Sequence, residues 1–205
     1  QSFRPERASM ATGNNHSPTT PSLTIAPQRT RRLRWIVIGL GLIASSMFWA
    51  MKRKGLAGEV TGFARSAETR HIAREIGLCD VVYDDIREAV RGADLVVLCV
   101  PVGAMGPVMA QIADVLAPGA TVTDVGSVKK DVIEKITPHL PEGVHFIAGH
   151  PLAGTEHSGP RAGFAELFDN RWCLLVPVAG SDPAAIARLR SFWEGIGSNV
   201  EEMDA

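Results

Sequence analysis

The sequence predicts an α/β fold, a doubly wound and mostly parallel sheet, with a disordered N-terminal tail ahead of it. Three observations predict it. From residue 33 onward, short apolar runs alternate with helix-length segments, the rhythm of strand–helix units. Several runs are continuously hydrophobic, as in LVVLCV at 95–100, which marks strands covered on both faces. Helix punctuation falls between them: Gly55 after the first helix, Pro118-Gly119 after the fourth, and Ser181-Asp182-Pro183 ahead of the last.

Residues 1–32 form the expected tail. Ser, Thr, Pro and Asn fill half of positions 1–30, and such a segment cannot offset its ordering entropy by burial. Met10 opens a natural start (MATGNN), so residues 1–9 read as a vector or upstream-translation remnant. The basic cluster at 29–34 reads as a solvated lead-in to the first strand, not a nucleic-acid patch.

The uncharged run at 35–51 (WIVIGLGLIASSMFWAM) resembles a signal peptide or a membrane span. Its 17 residues sit at the bottom of the spanning range, with Lys52, Arg53 and Lys54 directly behind. A signal peptide would also want small residues at a cleavage site, where this run reads Phe48-Trp49-Ala50-Met51-Lys52. The better reading is strand 34–38, a glycine turn, and helix 42–54. Strand 59–63 then leads to helix 67–76, and strand 81–83 to helix 85–91. Strand 94–100 precedes helix 103–116, strand 120–125 precedes helix 129–137, and strand 144–148 follows. Strand 172–178, helix 182–195 and strand 198–203 complete one domain over 33–205. The chain's 205 residues are ample to bury such a core.

A net charge of −1 gives no electrostatic footprint for nucleic acid or an anionic membrane. Cys79, Cys99 and Cys173 form no CxxC pair and no cluster with the six histidines. They read as buried thiols of a protein in a reducing compartment, the cytoplasm.

Between strand 34–38 and helix 42–54 stands Gly39-Leu40-Gly41-Leu42-Ile43-Ala44, the strand–turn–helix setting of a dinucleotide-binding turn. Gly39 allows the tight turn, Gly41 lets backbone approach a pyrophosphate, and Ala44 lets the helix pack close. The helix N-terminus then offers N–H groups and a positive dipole end to the phosphates. At the end of the second strand, Arg65 and Ser66 stand where an acid would bind a ribose in NAD. They could hold the 2′-phosphate of NADP, or Arg65 could stack on adenine while NAD binds. After the strand at 94–100, Val100, Pro101 and Val102 can cover the ribose and nicotinamide. Ser127, beyond strand 120–125, is placed to hydrogen-bond a substrate or carboxamide, or to cap the following helix.

The densest constellation is GHPLAGTEHSG at 149–159. His150 stands at a strand end, and an imidazole titrating near 6.5 suits a proton acceptor at neutral pH. His139, His145 and His157 read better as surface or structural groups. His150, Glu156 and His157 fall in a Gly/Pro-rich loop without helical register, so no metal site is expected.

In this order and spacing, GLGLI at 39–43, CVPVGA at 99–104, DVGSVK at 124–129 and GHPLAGTEHSG at 149–159 resemble the prephenate/arogenate dehydrogenase family. The resemblance implies a Rossmann-type NAD(P)-binding domain that serves oxidative decarboxylation of prephenate or arogenate in tyrosine biosynthesis, with NAD or NADP as cofactor. His150 matches the family's catalytic histidine, and Ser127 the serine that contacts substrate and nicotinamide. Thr155 and Glu156 match polar residues of the same pocket. Ala44 departs from the more usual third glycine. The family's helical C-terminal domain, which completes the substrate pocket and the homodimer, should begin where this chain stops. Two rivals remain: a non-catalytic dinucleotide-binding module, and a β-hydroxyacid dehydrogenase, which would leave the 149–159 loop unexplained.

Overall fold

A computed structural model describes residues 33–56 and 58–204. The expected tail at 1–32, the origin of residues 1–9 and most of the basic cluster lie outside the described residues. The chain runs β1 (Arg34–Ile38), α1 (Leu42–Lys54), β2 (Glu59–Phe63), α2 (Ala67–Glu75), β3 (Val81–Tyr83), α3 (Ile86–Val90) and β4 (Leu95–Leu98). It continues α4 (Val102–Ile112), β5 (Thr121–Asp124), α5 (Lys129–Ile136), β6 (His145–Pro151), β7 (Trp172–Pro177), α6 (Pro183–Gly195) and β8 (Asn199–Glu202).

The eight strands form one sheet in the order β3-β2-β1-β4-β5-β6-β7-β8. The first six are parallel; β7 joins β6 antiparallel, and β8 runs parallel to β7. The doubly wound, mostly parallel sheet is therefore as the sequence predicts. Side chains alternate across it, as pleating requires. Ile36 and Ile38 of β1, with Val96 and Leu98 of β4, pack under Met105, Met109 and Ile112 of α4. Val37 and Val97 point the other way, onto Met47 and Phe48 of α1 and Phe192 and Trp193 of α6. Two apolar layers thus sandwich a sheet buried on both faces.

The 35–51 run divides into β1 and α1 as expected. Thirteen helical residues span only about 20 Å, and among the described residues no helix is long and apolar enough to cross a membrane. Gly55 ends α1 in the left-handed conformation (φ 64°) behind three basic residues that suit the negative dipole end.

Most element bounds fall within one or two residues of expectation; β6 and α4 differ by more. Strand β6 does not stop at residue 148 but runs through Gly149 and His150 to Pro151, because β7 pairs with it there: Gly149 opposite Leu175, His150 opposite Leu174. Helix α4 starts at Val102, directly behind Pro101 at its N-cap, so residues 99–101 alone connect it to β4. Its C-terminal end tightens into a 3₁₀ turn at Ala113–Val115. Strand β4 ends at Leu98, short of the expected 100.

Candidate functional site

Strands β1 and β4 are neighbours, yet the chain leaves them toward opposite faces: α1 packs in one apolar layer and α4 in the other. That divergence opens a crevice at the carboxyl ends of the strands, where ligands bind in folds of this kind. Two cavities occupy it, of about 870 Å³ and about 470 Å³. They share Gly41, Cys99, Val100 and Pro101, so they form one continuous crevice.

The glycine turn lies at the junction. Gly39 has φ +96° and donates its N–H to the Phe63 carbonyl at 2.8 Å. A Cβ there would lie 2.3 Å from the Cys99 carbonyl oxygen, so conformation and space both demand glycine. Gly41 differs: it is the α1 N-cap at φ −92°, and a Cβ there would meet nothing within 4 Å. The space before it is open. No side chain caps α1 and no acidic residue stands in its first turn, which leaves its N–H groups and positive dipole end facing the crevice. Ala44 is fully buried against the core, as a close-packed third position should be. Gly163 presses on the same helix, where a Cβ would fall 2.6 Å from that of Ser45. These residues suit a phosphate-bearing ligand.

Phe63, Ala64, Arg65 and Ser66 line the larger cavity. Arg70 holds their loop, donating to the Ala64 carbonyl at 2.7 Å and the Arg65 carbonyl at 2.9 Å. Ser66 caps α2, accepting the Thr69 N–H at 3.3 Å. The Arg65 guanidinium is exposed and makes no hydrogen bond or ion pair with the described residues. Nearby Asp84 is engaged by Arg74 and Arg70, whose hydrogen bonds hold its carboxyl below the usual range.

The smaller cavity brings together residues 41–44, Val100, Pro101 and Val102, with Ser127 and His150 opposite. The N-cap of α5 is Val128 without a side-chain bond, so Ser127 is not that helix's cap; its hydroxyl stands exposed. His150 is half-buried, and burial first, then the Lys129 cation, push its imidazole below its ordinary pKa while Asp124 pulls the other way. Thr155 and Glu156 stand on the exposed loop beyond β6 and line neither cavity. Thr155 Oγ1 accepts the His157 N–H at 3.2 Å, and Glu156 faces His157 at 3.4 Å. Among the described residues no three His, Cys, Asp or Glu side chains gather as metal ligands.

Asp124 and Lys129 belong to the site and were not singled out by the sequence reading. Asp124, fully buried, accepts the Lys129 Nζ at 2.5 Å, the Gly126 N–H at 2.7 Å and the Gly149 N–H at 3.0 Å. Burial pushes its carboxyl up and the ammonium of Lys129 down, and their contact opposes both shifts. The signal was a carboxylate closing a run of β-branched residues, Thr121-Val122-Thr123, since a buried acid must be paired.

Fold and site together define a nucleotide-binding α/β domain of the dehydrogenase type. The family model of the prephenate dehydrogenase nucleotide-binding domain matches residues 49–202, and the chain belongs to that family. The chain is 46% identical over 169 residues to a cyclohexadienyl dehydrogenase of Zymomonas mobilis, covering 82% of this chain and 57% of that one. It is 30% identical to a prephenate dehydrogenase of Bacillus subtilis, covering 82% and 46%. It thus spans about half the length of these curated relatives. Among solved structures it superposes on Synechocystis arogenate dehydrogenase (TM-score 0.77, 32% identity, 84% of this chain, 60% of that one). It superposes equally on Aquifex aeolicus prephenate dehydrogenase in complex with hydroxyphenyl propionate and NAD+ (TM-score 0.77, 27%, 84% and 60%).

Proposed function

We propose that this chain is the cofactor-binding half of an enzyme that oxidatively decarboxylates prephenate or arogenate in tyrosine biosynthesis, with His150 as proton acceptor. The observation that carries the reading is the shared cavity in which Ser127 and His150 face the open N-terminus of α1. The N–H groups of that turn bind the pyrophosphate of NAD or NADP, and Arg65 reaches the adenosine end. When bound, the nicotinamide supplies the hydride acceptor. Ser127 orients the substrate's ring hydroxyl, and the imidazole of His150 takes the hydroxyl proton. The bond to the ring carboxylate then breaks, carbon dioxide leaves, and aromatisation makes the step effectively irreversible. Thr155 and Glu156 take their part in the pocket once the substrate and the further helical domain of the longer protein close over the loop.

That domain also supplies the expected homodimer. Three cysteines without disulfides support a cytoplasmic setting. The test is calorimetric titration of the chain with NAD and NADP, followed by turnover of prephenate and arogenate by a protein carrying its relatives' full length. Binding of neither dinucleotide, or turnover of neither substrate, overturns the reading.

A further inference from the structure

We propose that buried Asp124 and its half-buried partner Lys129 form a positioning device for His150, gripping the backbone of Gly149 so that the next side chain is held over the crevice. The inference deepens the reading of His150 as proton acceptor and rests on it.

The need for such a device is geometric. Strands β5 and β6 pair as Thr121 with His145, Val122 with Phe146 and Thr123 with Ile147, and β5 ends at Asp124. Strand β6 continues to Pro151, so beyond this ladder its edge toward β5 has no strand to bond. Side chains take over there. Asp124 Oδ1 accepts the Gly149 N–H at 3.0 Å, and Lys129 Nζ donates to the Gly149 carbonyl at 2.5 Å. The second carboxylate oxygen holds Lys129 itself and the N–H of Gly126, one residue before Ser127. One carboxylate therefore ties the backbone leading to Ser127 to the backbone leading to His150. Gly149 permits the approach, for a Cβ there would lie 2.7 Å from the Asp124 carbonyl oxygen. Among the described residues, the charged and titratable groups near His150 are few. Asp124 and Lys129 come from β5 and α5; from β7 comes Cys173, whose thiol burial pushes up to about 12 and so keeps neutral; the first turn of α1 carries no acid.

The test is carried out on the nucleotide-free chain, with two NMR readouts: the titration of the His150 ring and the hydrogen exchange of the Gly149 amide. Lys129→Met removes the cation and should move the His150 titration to higher pH; Asp124→Asn removes the anion and should move it lower. Opposite shifts are the signature of a cation and an anion both held within electrostatic reach of the ring, which general loosening would not produce. Both variants should speed Gly149 exchange at least about tenfold relative to wild type, while Lys129→Arg, which keeps a donor and the charge, should recover part of the protection. Shifts in one direction only, or unchanged exchange in folded variants, overturn the inference. Should the variants not fold, wild type decides: a Gly149 amide that exchanges as freely as that of exposed Gly154 overturns it, and one as protected as Ile147 upholds it. Loss of turnover in the longer protein would sink the His150 mechanism yet leave these readouts intact. Flat readouts sink the positioning role whatever the enzyme does.

Discussion

His150 illustrates how a fold sets the chemistry of one side chain. Burial and the Lys129 cation disfavour its imidazolium, so the ring stays neutral to lower pH than a free imidazole. A proton acceptor must be neutral to act, so in the full-length enzyme kcat/KM should fall on the acid side at a pH below the unperturbed value of about 6.5. A pH–rate profile checks this; an acid limb above that value would contradict the sign. Replacing His150 with Asn keeps a hydrogen-bonding group but removes the base, and should lower kcat/KM by roughly 10²–10⁴. His157, exposed in the same loop and paired with Glu156, is the control. His157→Asn should retain turnover within a few-fold. Equal losses would mean the loop matters structurally and that neither histidine can be named the base.

At the scale of elements, Gly39 and Gly41 look alike in the sequence and differ in the fold. Gly39 is fixed by its positive φ and by the Cys99 carbonyl, and Cys99 stands 60 positions further along the chain. Gly41 borders open space. Gly39→Ala should therefore cost about 2 kcal/mol or more of stability in denaturant unfolding. Gly41→Val should leave the unfolding midpoint nearly unchanged and weaken dinucleotide binding at least tenfold, about 1.4 kcal/mol, by calorimetry. A destabilised Gly41→Val that binds normally would reverse the assignment. The same contrast separates what was legible in the sequence from what was not. Apolar runs and helix punctuation are local signals, so β1, α1 and the doubly wound, mostly parallel character of the sheet could be read directly. Residues 149–151 could not be read as strand, because their pairing partner is β7, more than twenty residues on. The Asp124–Lys129 grip on Gly149 was hidden for the same reason: its members lie within six residues of one another, and what they hold lies 20 and 25 positions away.

Across the whole molecule, the crevice joins the two apolar layers, since α1 belongs to one, α4 to the other, and both line its smaller cavity. A ligand seated there contacts a surface that exists only when both layers are packed, so binding must stabilise the entire fold. At a dinucleotide concentration 100 times Kd the gain is about 2.7 kcal/mol, which for a domain of this size raises Tm by roughly 5–10 °C. Thermal unfolding thus becomes a readout of cofactor choice. Arg65 lines the larger cavity with an exposed guanidinium unpaired among the described residues, and Asp84, the nearby acid, is already engaged by Arg70 and Arg74. NADP, with its 2′-phosphate, should therefore shift Tm further than NAD at equal concentration, and added salt should shrink the difference by screening an exposed contact. Arg65→Ala should remove most of the NADP advantage while leaving the NAD shift nearly intact, because the pyrophosphate anchor proposed at α1 would be common to both. A larger shift with NAD in wild type, or equal losses for both cofactors in Arg65→Ala, would mean that Arg65 stacks on the adenine and that no 2′-phosphate is recognised there.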